Sequence, residues 1–309
     1  MKFGLLVSMP YLLGIALLLG GCAGPRLSDK AAASGSDTEF VRLSRLARTA
    51  YHRGSLVQAE ALYRQAHRRA RALDTAAELA DACYNLAAVL MALGRTDDAK
   101  PLLDEAEAEC RRAGQTPTDV WLVKAKLAAA EHQSAGALHW IEAVNNSTQA
   151  SPAQREEAAL LQGEIACDQH DVAQARAQLE AARQRMASAN PLRAASIERL
   201  SGRVALLEGQ AAEAGAAFDR EAEFCSRAGQ KRAMAHALAR AGDAYAKAGD
   251  ARSAVERTYR ATRSLFAQGD LPAALPLLAR ARQTAVLAGD AALAQRLESL
   301  ADEIERASH

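Results

Sequence analysis

The 309-residue chain has few aromatic side chains, 4%, and almost no net charge, +1 with histidine neutral. Few strand-forming residues argue against a sheet protein. Near-neutrality argues against a nucleic-acid-binding protein or one held by a polybasic surface. Lys2 is the only charge in the first 21 residues, so the rest of the chain is formally neutral. No GxSxG, HExxH, P-loop, GxGxxG or EF-hand pattern occurs, which removes the common routes to nucleophile, metal or phosphate chemistry. Cys22, Cys83, Cys110, Cys167 and Cys225 contain no CxxC pair, so neither a zinc knuckle nor a thioredoxin-like motif is supported. The last four fall at small or apolar positions of helical patterns and read as buried free thiols. Cys83 and Cys110 are the one pair whose placement on a single hairpin leaves a bridge open.

One long apolar run is present. It begins at Leu5, after Lys2, and closes in Leu19-Gly20-Gly21-Cys22. Such a run is too short for a stable span and suits a cleaved export signal. The segment resembles a bacterial lipoprotein signal: an apolar residue three before cysteine, small residues between. The resemblance implies that Cys22 is acylated and becomes the mature N-terminus. With Ala23 rather than Asp following, it implies the outer membrane. An ordinary secretory signal and an uncleaved anchor are the alternatives. Residues 23–37 are small, polar and patternless, a tether whose reach is about 20 Å. The resemblance therefore implies a division into a signal peptide (1–21), a tether starting at lipidated Cys22 (22–37) and a folded body (38–309).

The body is rich in Ala, Leu, Arg, Glu and Gln, a helix-forming composition. Gly54, Gly94, His132, His170, Gly209, Gly249 and Gly289 end apolar-periodic stretches at intervals of 40, 38, 38, 39, 40 and 40. Five residues after each comes an alanine: Ala59, Ala99, Ala137, Ala175, Ala214, Ala254 and Ala294. Four further on, Tyr63, Leu103, Ile141, Leu179 and Phe218 are large, whereas Thr258 and Glu298 are not. This is the pattern of stacked helix–turn–helix hairpins. The small residue admits close helix approach, and the large one, a turn along the same face, fills the space beside it. No single hairpin buries its apolar face, so each needs neighbours.

The stretches LARTAYHRGSLVQAEALYRQA (46–66), LAAVLMALGRTDDAKPLLDEA (86–106) and AGDAYAKAGDARSAVERTYRA (241–261) resemble the tetratricopeptide repeat family. The resemblance covers roughly 38–307 and implies an all-α, right-handed α-solenoid of about seven hairpins. His132 and His170 replace the family's inter-helix glycine, and its closing proline is mostly missing. Thr116-Pro117, Ser151-Pro152 and Asn190-Pro191 are predicted helix starts, Ser151 and Gln154 a capping box, and Gly114, Gly229 and Gly269 helix stops. Pro101 and Pro276 mark a local bend or a later helix start. The charged segment 291–307 reads as a capping helix with one face in water.

The histidines carry no chemistry in this pattern. His132 and His139 are separated by a predicted turn, and His170 occupies one, so no metal site, cofactor or catalytic residue is predicted. The family resemblance implies instead a groove lined by the first helix of each hairpin. Its positions are Arg45, Arg48, Tyr84, Asn85, Lys126, Arg199, Arg203, Arg240 and Arg280, with Glu164 and Asp243 among them. The family's carboxylate-clamping set is not reproduced, although Asn85 matches one member. Ordinary solvated helix charges are the alternative reading. If the groove binds, the arginines favour an anionic or carboxylate-bearing partner.

The expected function is that of a non-enzymatic, outer-membrane-anchored periplasmic scaffold that docks a protein or peptide in envelope assembly or secretion. A regulatory subunit of an envelope enzyme, such as a peptidoglycan synthase or protease, and a glycan or small-anion binder are the alternatives. The anchor is directly testable. Cys22→Ser leaves an unprocessed precursor that takes up no labelled palmitate; equal labelling of variant and wild type contradicts lipidation at Cys22.

Overall fold

The computed structural model describes residues 37–185, 190–289 and 291–308. Residues 1–36, to which the expected signal, Cys22 and most of the expected tether fall, lie outside the described residues. Among the described residues there are fourteen helices and no strand. They run as α1 (Thr38–His52), α2 (Leu56–Leu73), α3 (Ala76–Ala92), α4 (Thr96–Arg112), α5 (Thr118–Ala130), α6 (Ser134–Asn146), α7 (Pro152–Asp168), α8 (Val172–Arg185), α9 (Pro191–Leu207), α10 (Ala211–Arg227), α11 (Lys231–Lys247), α12 (Ala251–Ala267), α13 (Leu271–Ala288) and α14 (Ala291–Ser308). Consecutive helices pair as hairpins, with an odd-numbered helix A and an even-numbered helix B. This is the all-α architecture of an α-solenoid, as the period predicts.

Every predicted inter-helix position has left-handed backbone. The φ values at Gly54, Gly94, Gly209, Gly249 and Gly289 are 79°, 77°, 78°, 81° and 63°. His132 and His170 adopt it too, both at 58°, although an L-residue with a Cβ is disfavoured there. The turn's hydrogen bonds compensate. His170 N donates to Cys167 O at 3.2 Å and Asp171 N to Ala166 O at 2.9 Å, the same pair of bonds that Gly54 and Ser55 make to Tyr51 and Ala50. This double closure satisfies carbonyls that the helix end would otherwise leave bare.

Helices A and B meet through small residues on both sides. Ala59, Ala99, Ala137, Ala175, Ala214 and Ala254 on helix B are at most 2% exposed. Twelve residues before each stands a small residue of helix A: Ala47, Ala87, Ala125, Gly163, Gly202 and Gly242. A Cβ on Gly242 would lie 2.4 Å from Thr258 Oγ1 and 3.1 Å from the Ala254 carbonyl; one on Gly202 would lie 2.6 Å from the Phe218 ring. The glycines are therefore required by contact. The large residues Tyr63, Leu103, Ile141, Leu179 and Phe218 are buried as predicted. Thr258 is buried as well, its hydroxyl bonding the Ala254 carbonyl at 2.8 Å.

The seventh hairpin departs from this register. Ala294 is only half-buried. The buried stripe of α14 is Leu293, Leu297, Leu300 and Ile304, and α13 presents Ala281 in place of exposed Arg282. Both helices are displaced by one residue together, so the facing pair is kept while its sequence position moves. Leucine in that slot removes more apolar surface from water than alanine. Glu298, predicted at the packing position, is on the surface beside Arg282. The charged face of α14 is in water, as expected of a capping helix.

The described residues form two compact units that divide between Ala158 and Ala159, within α7. In the first, Phe40, Leu43, Tyr63, Leu86, Leu90, Leu103 and Val123 share one core. In the second, Leu179 packs with Ile197, Leu200 and Val204, and Val255 with Leu278, Leu293 and Leu297.

Most boundaries follow the predicted signals. Ser151 and Gln154 form the reciprocal capping box, at 2.8 and 3.2 Å. The Asn190 side chain accepts from Leu192 N at 2.9 Å. Gly114, Gly229 and Gly269 close their helices with positive φ. At Thr116-Pro117 the helix begins one residue later than predicted, because Thr118 N is drawn back onto Thr116 O at 2.9 Å. α4 and α13 run through Pro101 and Pro276 without a new start. Cys83, Cys110, Cys167 and Cys225 are free thiols; Cys110 is half-buried rather than buried as predicted. Burial pushes Cys110, Cys167 and Cys225 up to about 11 and Cys83 higher still. No described helix is long and apolar enough to cross a membrane.

The displaced register separates two substitutions that the sequence pattern treats alike. Ala254→Leu overpacks a closed slot and costs about 1–3 kcal/mol. Ala294→Leu stays within about 0.5 kcal/mol of wild type. Denaturant midpoints of the two variants check this; equal losses contradict the displacement.

Candidate interaction surface

The positions predicted to line a groove lie on the A helices, and the structure fixes the state of each. On α1, Arg45 is exposed and Arg48 half-buried. Neither makes a side-chain ion pair among the described residues. On α3, Tyr84 and Asn85 are buried. On α5, Lys126 is buried and paired with Glu157 of α7. On α9, Arg199 Nε donates to Glu164 Oε1 at 2.8 Å. Arg203 donates to the other oxygen of Glu164 and, at 2.6 Å, to Asp168 Oδ1. On α11, Arg240 donates to Glu221 Oε1 at 2.6 Å and lies over the Phe218 ring. On α13, Arg280 meets Asp243 of α11 at 2.7 Å.

Arg199, Arg203 and Arg240 are thus built into a charge network that runs from α7 through α9 and α10 to α11. Glu164 is its centre. Burial alone would raise its carboxyl, but Arg203 and Arg199 outweigh that and hold it at about 2. Arg199 is likewise kept charged, Glu164 and Glu221 overcoming the cost of burial. Asp243 is the exception: burial raises it, and Arg280 only partly offsets this. Buried acids and bases hold one another because either alone would be expensive to bury. The predicted anion-binding stripe therefore already carries carboxylates of its own chain at Arg199, Arg203, Arg240 and Arg280.

Three acidic partners were not singled out by the sequence pattern, Glu157, Asp168 and Glu221. Glu221 had a legible signal. It stands seven residues after Ala214, where the first four hairpins and the sixth have Ala66, Ala106, Val144, Ala182 and Ala261, all buried. A glutamate in that slot demands a cation. A comparable cluster forms in the first unit. Trp121 Nε1 donates to Glu107 Oε1 at 3.0 Å, Lys124 Nζ to Oε2 at 2.5 Å, and Lys124 also stands over the Trp140 ring at 4.7 Å. Lys124 and Trp140 line a cleft of about 220 Å³. In the second unit a cleft of about 360 Å³ has Arg257 in its wall, paired with Asp219 at 3.1 Å. His132 and His170 serve the left-handed turns.

The chain matches no protein-family model and no curated protein.

The network gives a defined acid response. A carboxyl held at about 2 in the folded chain against an ordinary 4.5 contributes its full stability above the ordinary value. That contribution falls as pH drops from about 4.5 towards 2 and is gone below. Glu164→Gln strands Arg199 and costs about 3–5 kcal/mol near neutrality, towards the lower end because Arg203 keeps Asp168. Denaturant midpoints between pH 7 and pH 2 check both parts. If wild type and variant lose stability in parallel over that range, Glu164 is not the responding group.

Proposed function

We propose that this chain is a lipid-anchored tetratricopeptide-like protein of the outer membrane. It faces the periplasm and acts as a non-catalytic scaffold for a protein or peptide of the cell envelope. The observation that carries this reading is the regular series of hairpins, the first six closed by facing small residues, which leaves a repeated set of A-helix side chains for contact. The Leu19–Cys22 pattern supplies the anchor. Fold class alone does not select the process, so envelope assembly and secretion stand together.

The ion pairs narrow where contact is made. Displacing Glu164 or Glu221 from its arginines would strand a buried carboxylate. Arg45 and Arg48 on α1 pay no such penalty and present guanidinium donors suited to a carboxylate-bearing partner. The test is affinity capture from detergent-solubilised envelope, wild type against Arg45→Gln with Arg48→Gln. The expected result is a co-purifying protein whose recovery falls at least about ten-fold in the variant, with helicity unchanged by circular dichroism. Capture of glycan alone contradicts the scaffold reading and supports a glycan binder. A captured envelope enzyme whose turnover changes on binding supports a regulatory subunit. Recovery equal in wild type and variant removes α1 from the contact surface.

A further inference from the structure

One junction in the first unit gathers three side chains able to ligate a metal, one from each of three helices. His67 on α2, Cys83 on α3 and Glu105 on α4 bring a ring nitrogen, a sulfur and a carboxylate oxygen within 4.8 Å of one another. The same junction two hairpins from the end of the series is filled by Ala222 and Leu238, packed in one apolar cluster. In the neighbouring junction the equivalent residues are Glu107 and Trp121, which satisfy each other at 3.0 Å. Among the described residues, only between α2, α3 and α4 does the slot hold nitrogen, sulfur and oxygen donors together.

One of the three is left unsatisfied. His67 Nε2 is shielded from solvent and has no hydrogen-bond partner. Its nearest acid is Glu105 Oε2 at 3.6 Å, too far for a hydrogen bond. A buried nitrogen left so is costly. The distance suits something else. Zinc bonds of roughly 2.0–2.3 Å at tetrahedral angles place neighbouring donor atoms about 3.3–3.8 Å apart. Arg71 donates to the other oxygen of Glu105 at 2.5 Å, which leaves Oε2 facing His67. Such a bond orients a ligating carboxylate.

We propose that His67 Nε2, Cys83 Sγ and Glu105 Oε2 bind one zinc ion, a water completing the tetrahedron. Imidazole, thiolate and carboxylate together are a zinc donor set. Cys83 Sγ closes on the ion by about 1 Å of side-chain movement, from a ligand spacing within 4.8 Å to the tetrahedral one. On binding, the Cys83 thiol gives its proton to solvent and its sulfur to the metal, so one proton is released per ion from that group. Thiolate and carboxylate then neutralise the dication. The Arg71 side chain is 61% exposed, and solvent screens its charge. Entry is from the side of His67 and Glu105, whose side chains keep 13% and 26% exposure while Cys83 has none. This site is independent of the scaffold reading.

The experiment uses the purified full chain, stripped with a chelator and titrated with zinc against a chromogenic competitor, and in parallel with cobalt as a spectroscopic stand-in. One equivalent is expected per chain, with a thiolate-to-cobalt charge-transfer band and a rise in the thermal midpoint. His67→Gln and Cys83→Ala each weaken binding at least about ten-fold, and Cys110→Ala leaves it unchanged. The cobalt band reads thiolate ligation in the wild type, so the proposal stays exposed to refutation if Cys83→Ala does not fold. Absence of stoichiometric zinc binding, a cobalt spectrum without the thiolate band, or wild-type affinity in His67→Gln or a folded Cys83→Ala overturns it.

Discussion

The close approach of helix B to helix A, small residue against small residue, sets the geometry that the rest of the chain follows. With Gly242 against the Ala254 carbonyl and Gly202 against the Phe218 ring, the two backbones of a hairpin come near enough that one apolar stripe per helix suffices to close it. Ala59, Ala99, Ala137, Ala175, Ala214 and Ala254 occupy the slot. The larger residue a turn later then has a fixed space to fill. The left-handed turn delivers helix B to that register, and it does so even where histidine replaces glycine. In the seventh hairpin the slot moves by one residue in both helices. Complementarity across the hairpin is therefore what is kept, not a sequence position.

That geometry also explains the polar architecture. Helices held this closely leave little room for water between hairpins, so any charge directed inward needs a partner of the same chain. Glu164 between Arg199 and Arg203, Glu221 beneath Arg240, Lys126 beside Glu157 and Glu107 beneath Lys124 are successive instances. Glu107 and Glu164 are each at most 8% exposed at the side chain, which separates them from the surface pairs, such as Arg42 with Glu39, that contribute little. Functional contact and structural pairing therefore draw on the same A-helix positions. Beside Cys83 and Glu105, His67 is the case in which an inward polar atom, Nε2, is left without a hydrogen-bond partner.

The fold was legible because both of its signals repeat. A period near 39 with alanine five residues after each turn needs no tertiary information, and seven of seven turn positions have positive φ. The seventh slot was misread because Ala294 matches the pattern while Leu293 and Ala281 bury better, a comparison only packing decides. The candidate surface was legible by position but not by state. The offsets located Arg199, Arg203 and Arg240, and Glu164 as well, yet the partners Asp168 and Glu221 come from other helices, and pairing between helices has no fixed sequence spacing. The His67, Cys83 and Glu105 cluster was invisible for the same reason: three helices contribute one residue each.

Cooperative closure of helix A on helix B within each hairpin is the claim most open to direct measurement. Native-state hydrogen exchange, read by mass spectrometry across 38–308 at low denaturant, resolves the opening free energy of each helix. Nearest-neighbour coupling with a closed hairpin as the unit predicts that α9 and α10 open together, as do α11 and α12, with steps in protection falling between hairpins. Helices of one hairpin that exchange independently, while α10 opens with α11 or α12 with α13, would contradict it.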